Sequence, residues 1–200
     1  MLILGLDTTG AYCSVALCDE ARVLGYKSEN IGRGHAERLA PMVQEVLEQA
    51  GLTAKDIDKI AVCTGPGSFT GLRVALAFAK GFALPRKLPV VGLSSLAMWA
   101  VQADPEGQKN VIAVADVRRG ELCWSAVFKG QVAEGVVTQK AEAAREIFKT
   151  LNPDMIIEDE IVDARRLAWL GAELSPKEYP AVPLYSRGPD AKLPGGIDPK

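Results

Sequence analysis

The amino-acid sequence predicts an α/β fold of two lobes, in which the second lobe is a reduced copy of the first. Two observations support this prediction. An apolar strand that ends in aspartate, turns and returns as a second strand occurs twice, at Asp7 and at Asp116. A polar stretch with turn residues, Asp104 to Gln108, separates the two copies. We therefore expect a first lobe over residues 1–103 and a smaller lobe over residues 104–200, whose segment after about residue 163 packs back on the first lobe.

The composition indicates a globular chain without a strong charge bias. Of the 200 residues, 48% are hydrophobic, and 23 Lys and Arg against 25 Asp and Glu give a formal net charge of −2. This balance argues against binding of nucleic acid or acidic membranes through a bulk electrostatic field. Neither a basic leader before an apolar run nor a stretch of about twenty apolar residues is present, so we expect a cytoplasmic protein without a membrane span. The four cysteines lack CxxC spacing and are expected to be reduced and buried.

The first lobe is predicted to contain three antiparallel strands followed by two alternations of strand and helix. Residues 2–7 are apolar on both faces, as a central strand is. The first helix carries an apolar stripe that includes Leu39 and Met42, and Gly51 stands where a helix ends. The predicted elements are strands at 2–7, 13–18 and 23–28, a helix at 36–50, a strand at 60–63, a helix at 70–84, a strand at 90–93 and a helix at 95–103.

The second lobe repeats this order in shorter form. Asp163 is predicted to cap its last helix and Gly171 to end it. After Ser175 the chain is rich in Pro and Gly, and residues 193–200 are expected to be frayed. The predicted elements are strands at 111–115, 121–128 and 135–138, a helix at 139–151, a strand at 155–157 and a helix at 164–170.

The helix at residues 70–84 is unusual because apolar or small residues cover nearly its whole circumference. Between Leu72 and Leu84 only Arg73 and Lys80 are charged, and Pro85 ends the pattern. A helix that is apolar all round has to be buried on more than one side. Either the chain's own elements cover it completely, or its outer side is a protein interface, because soluble monomers rarely expose large apolar patches.

The two hairpins, Asp7 to Gly10 and Asp116 to Gly120, match a pattern of the actin, hexokinase and Hsp70 superfamily. In that superfamily, backbone NH groups of the hairpins hold the phosphates of ATP, and the aspartates hold Mg²⁺ or polarise water. Here Thr9 stands where glycine is usual, and Arg118 and Arg119 occupy positions where backbone approaches phosphate. The resemblance implies an actin-like (ASKHA, ribonuclease H-like) fold, and the altered second hairpin argues against the use of ATP. Its degenerate phosphate loop consists of Asp7, Thr8, Thr9 and Gly10.

Other chemical patterns are weaker. The turn Thr64 to Ser68 before a helix could bind an anion, but it lacks the GxxxxGK[ST] pattern of a P-loop, and a structural turn is favoured. A metal site built on two histidines is excluded because His35 is the only histidine. Ser14, Ser68 and Ser94 would each need a positioned base to act as nucleophiles. His35 is better interpreted as a helix-start residue that is exposed or hydrogen bonded locally.

Several segments resemble the TsaB (YeaZ) family of bacterial proteins. They are MLILGLDTTGAYCSVAL, GHAERLAPMVQEVLEQAGL, TGPGSFTGLRVALAFAKGFA, VVGLSSLAMWA and PLYSRGPDAKLP. The resemblance covers nearly all of residues 1–103 and returns at residues 183–194, and GPGSFTGLR is its most specific part. Members of that family are partners of TsaD in making threonylcarbamoyladenosine on tRNA, at the adenosine next to the anticodon of tRNAs that read ANN codons.

The resemblance implies a subunit without an active site of its own. TsaD, a larger paralogue of the same fold, carries its metal through an HxxxH pair; in this sequence the first position is His35 and the second is Leu39. The resemblance further implies a heterodimer with TsaD, a larger complex with the ATPase TsaE, access to tRNA only through the complex, and a homodimer when TsaD is absent. ATP and metal are expected in the partner subunits, and neither a catalytic residue nor a cofactor is expected here.

The pairing surface of that family is built from the two helices of the first lobe, here residues 36–50 and 70–84. If apolar contact dominates, Ala79→Glu is expected to abolish pairing while the lobe stays folded. The expected partner contacts are Leu39, Met42, Val46, Gly71, Leu72, Ala75, Leu76 and Ala79.

Two alternative functions stay open. One is an ATP-dependent kinase or ATPase, which requires MgATP binding through Asp7, and the other is a metallopeptidase. A separate tRNA-binding module is disfavoured by the charge balance.

Overall fold

The computed structural model describes residues 1–186, and the expected frayed tail at 193–200 lies outside this range. Within it the strands form a five-stranded sheet with the order β3-β2-β1-β4-β5 and a four-stranded sheet with the order β8-β7-β6-β9. The strands of the first sheet all precede the polar stretch at residues 104–108, and those of the second all follow it. The strands are β1 (Ile3–Asp7), β2 (Tyr12–Cys18), β3 (Val23–Asn30), β4 (Lys59–Cys63), β5 (Val90–Leu93), β6 (Asn110–Asp116), β7 (Glu121–Phe128), β8 (Gln131–Lys140) and β9 (Met155–Glu158).

Five α-helices follow strands in the described part of the chain, and their ends have recognisable local causes. The side chains of Ser68, Ser94 and Asp163 each accept a backbone N–H bond at a helix start. Gly51 ends the first helix with a left-handed φ of 66°, as the sequence predicts. The helices are α1 (His35–Ala50), α2 (Phe69–Ala83), α3 (Ser95–Ala103), α4 (Ala141–Leu151) and α5 (Ala164–Glu173).

The two sheets share one topology. In the first, β1 pairs antiparallel with β2 and parallel with β4. In the second, β6 pairs antiparallel with β7 and parallel with β9 in the same way. Among the strands of residues 1–186, the second sheet has no counterpart of β5. This duplicated order confirms the predicted actin-like fold with a reduced second half.

The molecule is layered. The helices α1 and α2 pack on the outer face of the first sheet, against core residues such as Leu6 and Ile60. The helices α5 and α3 lie between the two sheets, where Ile3, Leu96 and Ala113 belong to one apolar cluster. The helix α4 covers the outer face of the second sheet. No helix within residues 1–186 has the length and apolar content needed to cross a bilayer.

The helix α5 follows the second sheet in sequence but packs on the first. A Cβ on Gly5 would lie 2.3 Å from the carbonyl oxygen of Ala164, and a Cβ on Gly171 would lie 2.4 Å from the Cβ of Ala61. The helix therefore approaches β1 and β4 at backbone contact. Buried Lys59 fixes the end of α5, because the Nζ of Lys59 donates to the carbonyl oxygens of Ala172 at 2.8 Å and Leu174 at 2.6 Å. Burial lowers the pKa of Lys59.

Two predicted elements differ from the structure by more than two residues at one end. The last helix does not end at Gly171 but continues to Glu173, because this glycine provides space for close packing instead of a left-handed turn. The strand predicted at residues 135–138 extends over Gln131–Lys140. Its exposed side chains lack the alternation of apolar and polar residues that marks a half-buried strand.

Candidate functional site

The residues predicted as partner contacts lie on the inner flanks of α1 and α2. All eight are buried in the chain's own core, and the side chain of Leu76 is 5% exposed. The small residues of α2 face the sheet because they allow close approach, so a Cβ on Gly71 would lie 1.9 Å from the carbonyl oxygen of Thr8. Side chains buried in this way offer no surface to a partner, which corrects the predicted contact positions. Ala79→Glu would put a charge into the core and would not leave the lobe folded.

The outer flank of α2 is apolar and exposed. Phe69 is 53% exposed, Ala77 is exposed, and Val74 and Phe78 are half-buried. The elements within residues 1–186 therefore leave one side of this helix uncovered. Two neighbouring grooves, of about 420 and 450 Å³, run between α1 and α2 and meet at Phe78. The first groove is lined by Ala36, Leu39, Phe69, Thr70, Arg73, Val74, Ala77 and Phe78.

Charged side chains fix α1 at the edge of this surface. The Arg38 guanidinium donates to Glu29 on β3 and to Glu45 on its own helix, at 2.5 and 2.7 Å. Lys27 on β3 also donates to Glu45. These bonds lower the pKa of Glu45 to about 2. The network links α1 to the sheet edge and leaves the apolar grooves on the far side of the helix.

An arginine in contact with two aromatic rings marks the N-terminal end of the first groove. The guanidinium carbon of Arg73 lies 3.8 Å from the ring centroid of Phe69 and 5.7 Å from that of Tyr185. Its Nε donates to the Tyr185 hydroxyl at 3.1 Å, and the two rings lie 5.3 Å apart. We name these three residues the Arg73 clamp. The sequence gives no signal for it, because Tyr185 is separated from Arg73 by more than half of the chain.

Tyr185 reaches α2 through a segment that follows α5. This segment pairs with the free edge of β5, where the N–H of Gly92 donates to the carbonyl of Tyr179 at 3.0 Å. It then crosses to the loop before α2, where the N–H of Leu184 donates to the carbonyl of Thr64 at 2.8 Å. The end of the described chain is thereby part of the first lobe's surface.

The first hairpin is closed on itself and buried. Asp7 is 2% exposed, and its Oδ1 accepts the N–H of Thr9 at 3.0 Å and the Thr9 hydroxyl at 2.7 Å. Burial raises the pKa of Asp7, and the Thr9 bonds oppose that rise. The N–H that a phosphate would need at Thr9 is thus already bonded within the turn.

The loop before α2 covers this hairpin. The N–H of Ser68 donates to the carbonyl of Thr9 at 2.7 Å, and the Thr8 hydroxyl donates to the carbonyl of Gly71 at 2.6 Å. A Cβ on Gly67 would lie 2.4 Å from the carbonyl oxygen of Thr9. The glycines of GPGSFTG are therefore packing residues, and the structural interpretation of this loop fits the geometry better than an anion site.

The second hairpin has a similar turn but no cover. The N–H of Arg118 donates to Oδ1 of Asp116 at 2.7 Å, and Asp116 is exposed. Arg118, Arg119 and Gly120 all have positive φ, at 69°, 57° and 70°. The side chains of two arginines thus occupy the turn, as the sequence indicates.

The two hairpins face one cleft of about 590 Å³. Its charged lining is mostly acidic, with Asp7 on one side and Asp116, Asp159 and Glu160 on the other. Burial raises the pKa of Asp159. Within residues 1–186 no three His, Cys, Asp or Glu side chains are placed to hold a metal ion. The acidic wall is unfavourable for the phosphates of a nucleotide without a counter-ion.

His35 and the cysteines occupy buried positions. His35 at the start of α1 is 9% exposed, and its Nε2 has no hydrogen-bond partner among the described residues. The expectation of an exposed or locally bonded histidine is therefore wrong, because the His35 side chain is turned into the core, where no described residue bonds its Nε2. The four cysteines are free and buried, as predicted.

Sequence comparisons identify related proteins. A family model described as TsaD, tRNA N6-adenosine threonylcarbamoyltransferase, matches residues 21–174. The tRNA threonylcarbamoyladenosine biosynthesis protein TsaB of Escherichia coli K12 is 35% identical over 78% of this chain and 70% of its own length. That of Haemophilus influenzae is 38% identical over 66% of this chain. The matched segments span between 56% and 70% of the lengths of these two curated relatives.

Solved structures show the same relationship. A Pseudomonas aeruginosa protein described as similar to peptidase YeaZ has a TM-score of 0.75 and 31% identity, over 93% of this chain and 99% of its own. YeaZ from Pseudomonas aeruginosa has a TM-score of 0.73 and 29% identity, over 92% and 99%. The likeness therefore covers both sheets and extends beyond the helices that carry the sequence motifs.

Proposed function

The chain belongs to the TsaB family, and we propose that it takes part in making threonylcarbamoyladenosine on tRNA as a non-catalytic subunit that binds TsaD. The substrate position is the adenosine next to the anticodon of tRNAs that read ANN codons. TsaE joins the larger complex, and tRNA contacts this subunit only through that complex. In the absence of TsaD the same surface pairs two copies of the chain in the cytoplasm.

The observation that supports this proposal is the exposed apolar flank of α2 beside α1. Phe69 and Ala77 are exposed, and the two grooves between the helices have mostly apolar linings. Covering such a surface would gain a free energy of about 25 cal/mol for each Å² of apolar area removed from water. Two helices that present one continuous apolar face fit a partner with a similar helix pair.

The hairpins support a role without chemistry of its own. In the first, the N–H of Thr9 is bonded to Asp7, and Gly67 and Gly71 place α2 directly on the turn. The position that completes the metal-binding HxxxH pair in TsaD is here Leu39, whose side chain is buried in the core. We propose that metal and ATP are supplied by the partner subunits.

The test is the effect of a charge on the outer flank. Ala77→Glu is expected to weaken binding to TsaD of the same organism at least tenfold in calorimetric titration, because the carboxylate is desolvated in an apolar contact. The matched control is Ala133→Glu, an exposed alanine on β8, which is expected to bind as the wild type does. Equal affinities of both variants for TsaD would contradict the proposal.

Light scattering during size-exclusion chromatography gives the stoichiometry. The isolated chain is expected to elute as a homodimer and to form a one-to-one heterodimer after addition of TsaD. A kinase or ATPase would instead bind MgATP through Asp7, and calorimetry with MgATP separates the two functions. Tight MgATP binding that is lost in Asp7→Asn would replace the scaffold proposal.

A further inference from the structure

We infer that the Arg73 clamp is the polar anchor of the docking surface and that it receives a carboxylate of the TsaD partner. This inference rests on the proposed function and adds a specificity-determining residue to it. The clamp lies at the end of the apolar groove between α1 and α2, and Arg73 itself lines that groove. The clamp therefore places one fixed cation at the end of an otherwise apolar groove.

The clamp holds the guanidinium in one orientation. One face of the group packs on Phe69, and Nε is bonded to the hydroxyl of Tyr185. Tyr185 is in turn positioned by Leu184, whose N–H is bonded to the loop before α2. An exposed arginine normally loses much rotamer freedom on binding, and a preorganised one loses less. Arg and Tyr are also the residue types that dominate binding energy at interfaces.

The two Nη nitrogens remain available for a ligand. Among residues 1–186 no acidic side chain lies within salt-bridge distance of Arg73, and only its Nε donates a hydrogen bond. The first turn of α2 contains no acidic residue. A planar pair of N–H donors fits the two oxygens of a carboxylate, so a guanidinium binds a carboxylate through two parallel hydrogen bonds.

Formation of the interface requires a carboxylate opposite Arg73. A partner that covers the groove also removes water from Arg73, and a desolvated cation without a counter-charge is costly. The rings of Phe69 and Tyr185 compensate part of this cost through cation–π contact. A carboxylate from the partner compensates the rest and fixes the register of the two helix pairs.

The experiment compares two cations of the same helix by calorimetric titration with TsaD. Arg73→Gln is expected to weaken binding at least about 30-fold, the loss typical of one partner of a desolvated charged pair. Arg73→Lys keeps the charge but loses the fork and is expected to weaken binding about tenfold. Lys80→Gln is the matched control, because Lys80 is exposed on α2 without an aromatic clamp, and it is expected to change affinity less than twofold.

The source of the carboxylate is tested with a chain that ends at Ser186. If the partner provides it, Arg73→Gln weakens binding to TsaD equally in the shortened and the full chain. If the effect of Arg73→Gln disappears in the shortened chain, an acid of this chain is the source and the inference is wrong.

The remaining outcomes separate the inference from the function on which it rests. If the wild type binds TsaD, and Arg73→Gln and Lys80→Gln bind it with equal affinity, the anchor is wrong and the proposed function stands. Absence of wild-type binding overturns the proposed function and the anchor together. Thermal melting of each isolated variant is expected to match the wild type, which excludes unfolding as the reason for a loss.

Discussion

The two hairpins of this molecule have the same turn and opposite surroundings. In both, an aspartate that ends a strand accepts the N–H of the residue two positions later, at Thr9 and at Arg118. Asp7 is 2% exposed, whereas Asp116 is exposed. The local sequence therefore determines the turn, and the helix that follows the parallel strand determines its environment.

The helix after β4 is α2, which returns over the first hairpin. The helix after β9 is α5, which packs on the first sheet instead and leaves the second hairpin uncovered. The duplicated halves thus differ most in the course of one helix. One turn supports α2, and the other forms part of the wall of an open cleft. Three substitutions test this account, in order of decreasing effect.

The largest effect is expected from Gly71→Ala. Its Cβ would lie 1.9 Å from the carbonyl oxygen of Thr8, so the helix has to move away from the hairpin. We expect a loss of more than about 3 kcal/mol in the free energy of unfolding, or a fall in Tm of roughly 6–12 °C. The control Gly81→Ala meets no atom within 4 Å and is expected to be neutral or slightly stabilising. Equal melting of both variants would mean that α2 does not rest on the turn.

A smaller effect is expected when the first hairpin is made like the second. Thr8 corresponds to Val117, so Thr8→Val removes the buried bond to the carbonyl of Gly71 at nearly constant volume. The expected loss is about 1 kcal/mol in chemical denaturation. The reverse change, Val117→Thr, affects a half-buried site and is expected to change stability by less than about 0.5 kcal/mol. Equal losses in the two variants would argue against a difference between the hairpins.

The smallest effect concerns pH. Burial raises the native pKa of Asp7 above its value in the unfolded chain, so the native state binds this proton more tightly. The contribution of Asp7 to stability is present below the unfolded pKa and is lost as the pH rises through the native pKa. Asp7→Asn is therefore expected to gain stability relative to the wild type as the pH rises above the ordinary pKa of an aspartate, about 3.9.

Stability curves from urea denaturation at several pH values measure this difference. The matched variant is Asp116→Asn, which changes the corresponding carboxylate of the exposed hairpin and controls for the loss of a turn-closing acceptor. A parallel pH profile for wild type and Asp7→Asn would contradict the assigned cost of burying Asp7.

Much of the fold follows from the sequence because local signals and packing agree there. The strand Val90–Leu93 and the helix Ser95–Ala103 have the predicted bounds, since an apolar run and a serine cap mark them. Gly171 is the opposite case. A glycine near a helix end predicts a left-handed stop, but here it is required by contact with Ala61, which no local pattern encodes.

The site is less predictable than the fold. Small and apolar residues occupy both flanks of α2, so periodicity could not show that Ala79 faces the sheet and Ala77 faces solvent. The Arg73 clamp depends on Tyr185, which tertiary structure alone brings to the helix. The partner contacts of this chain stay a prediction, now shifted to the outer flank.

The crossing of α5 to the first sheet affects the order in which the protein can be made. A nascent chain that has completed β5 still lacks the helix that covers Ile3, Ala61 and Val91 on the inner face of that sheet. This cover is translated only after the whole second sheet. We therefore expect the first half to emerge from the ribosome with an uncovered apolar face, and the two halves to complete folding together once α5 contacts the first sheet.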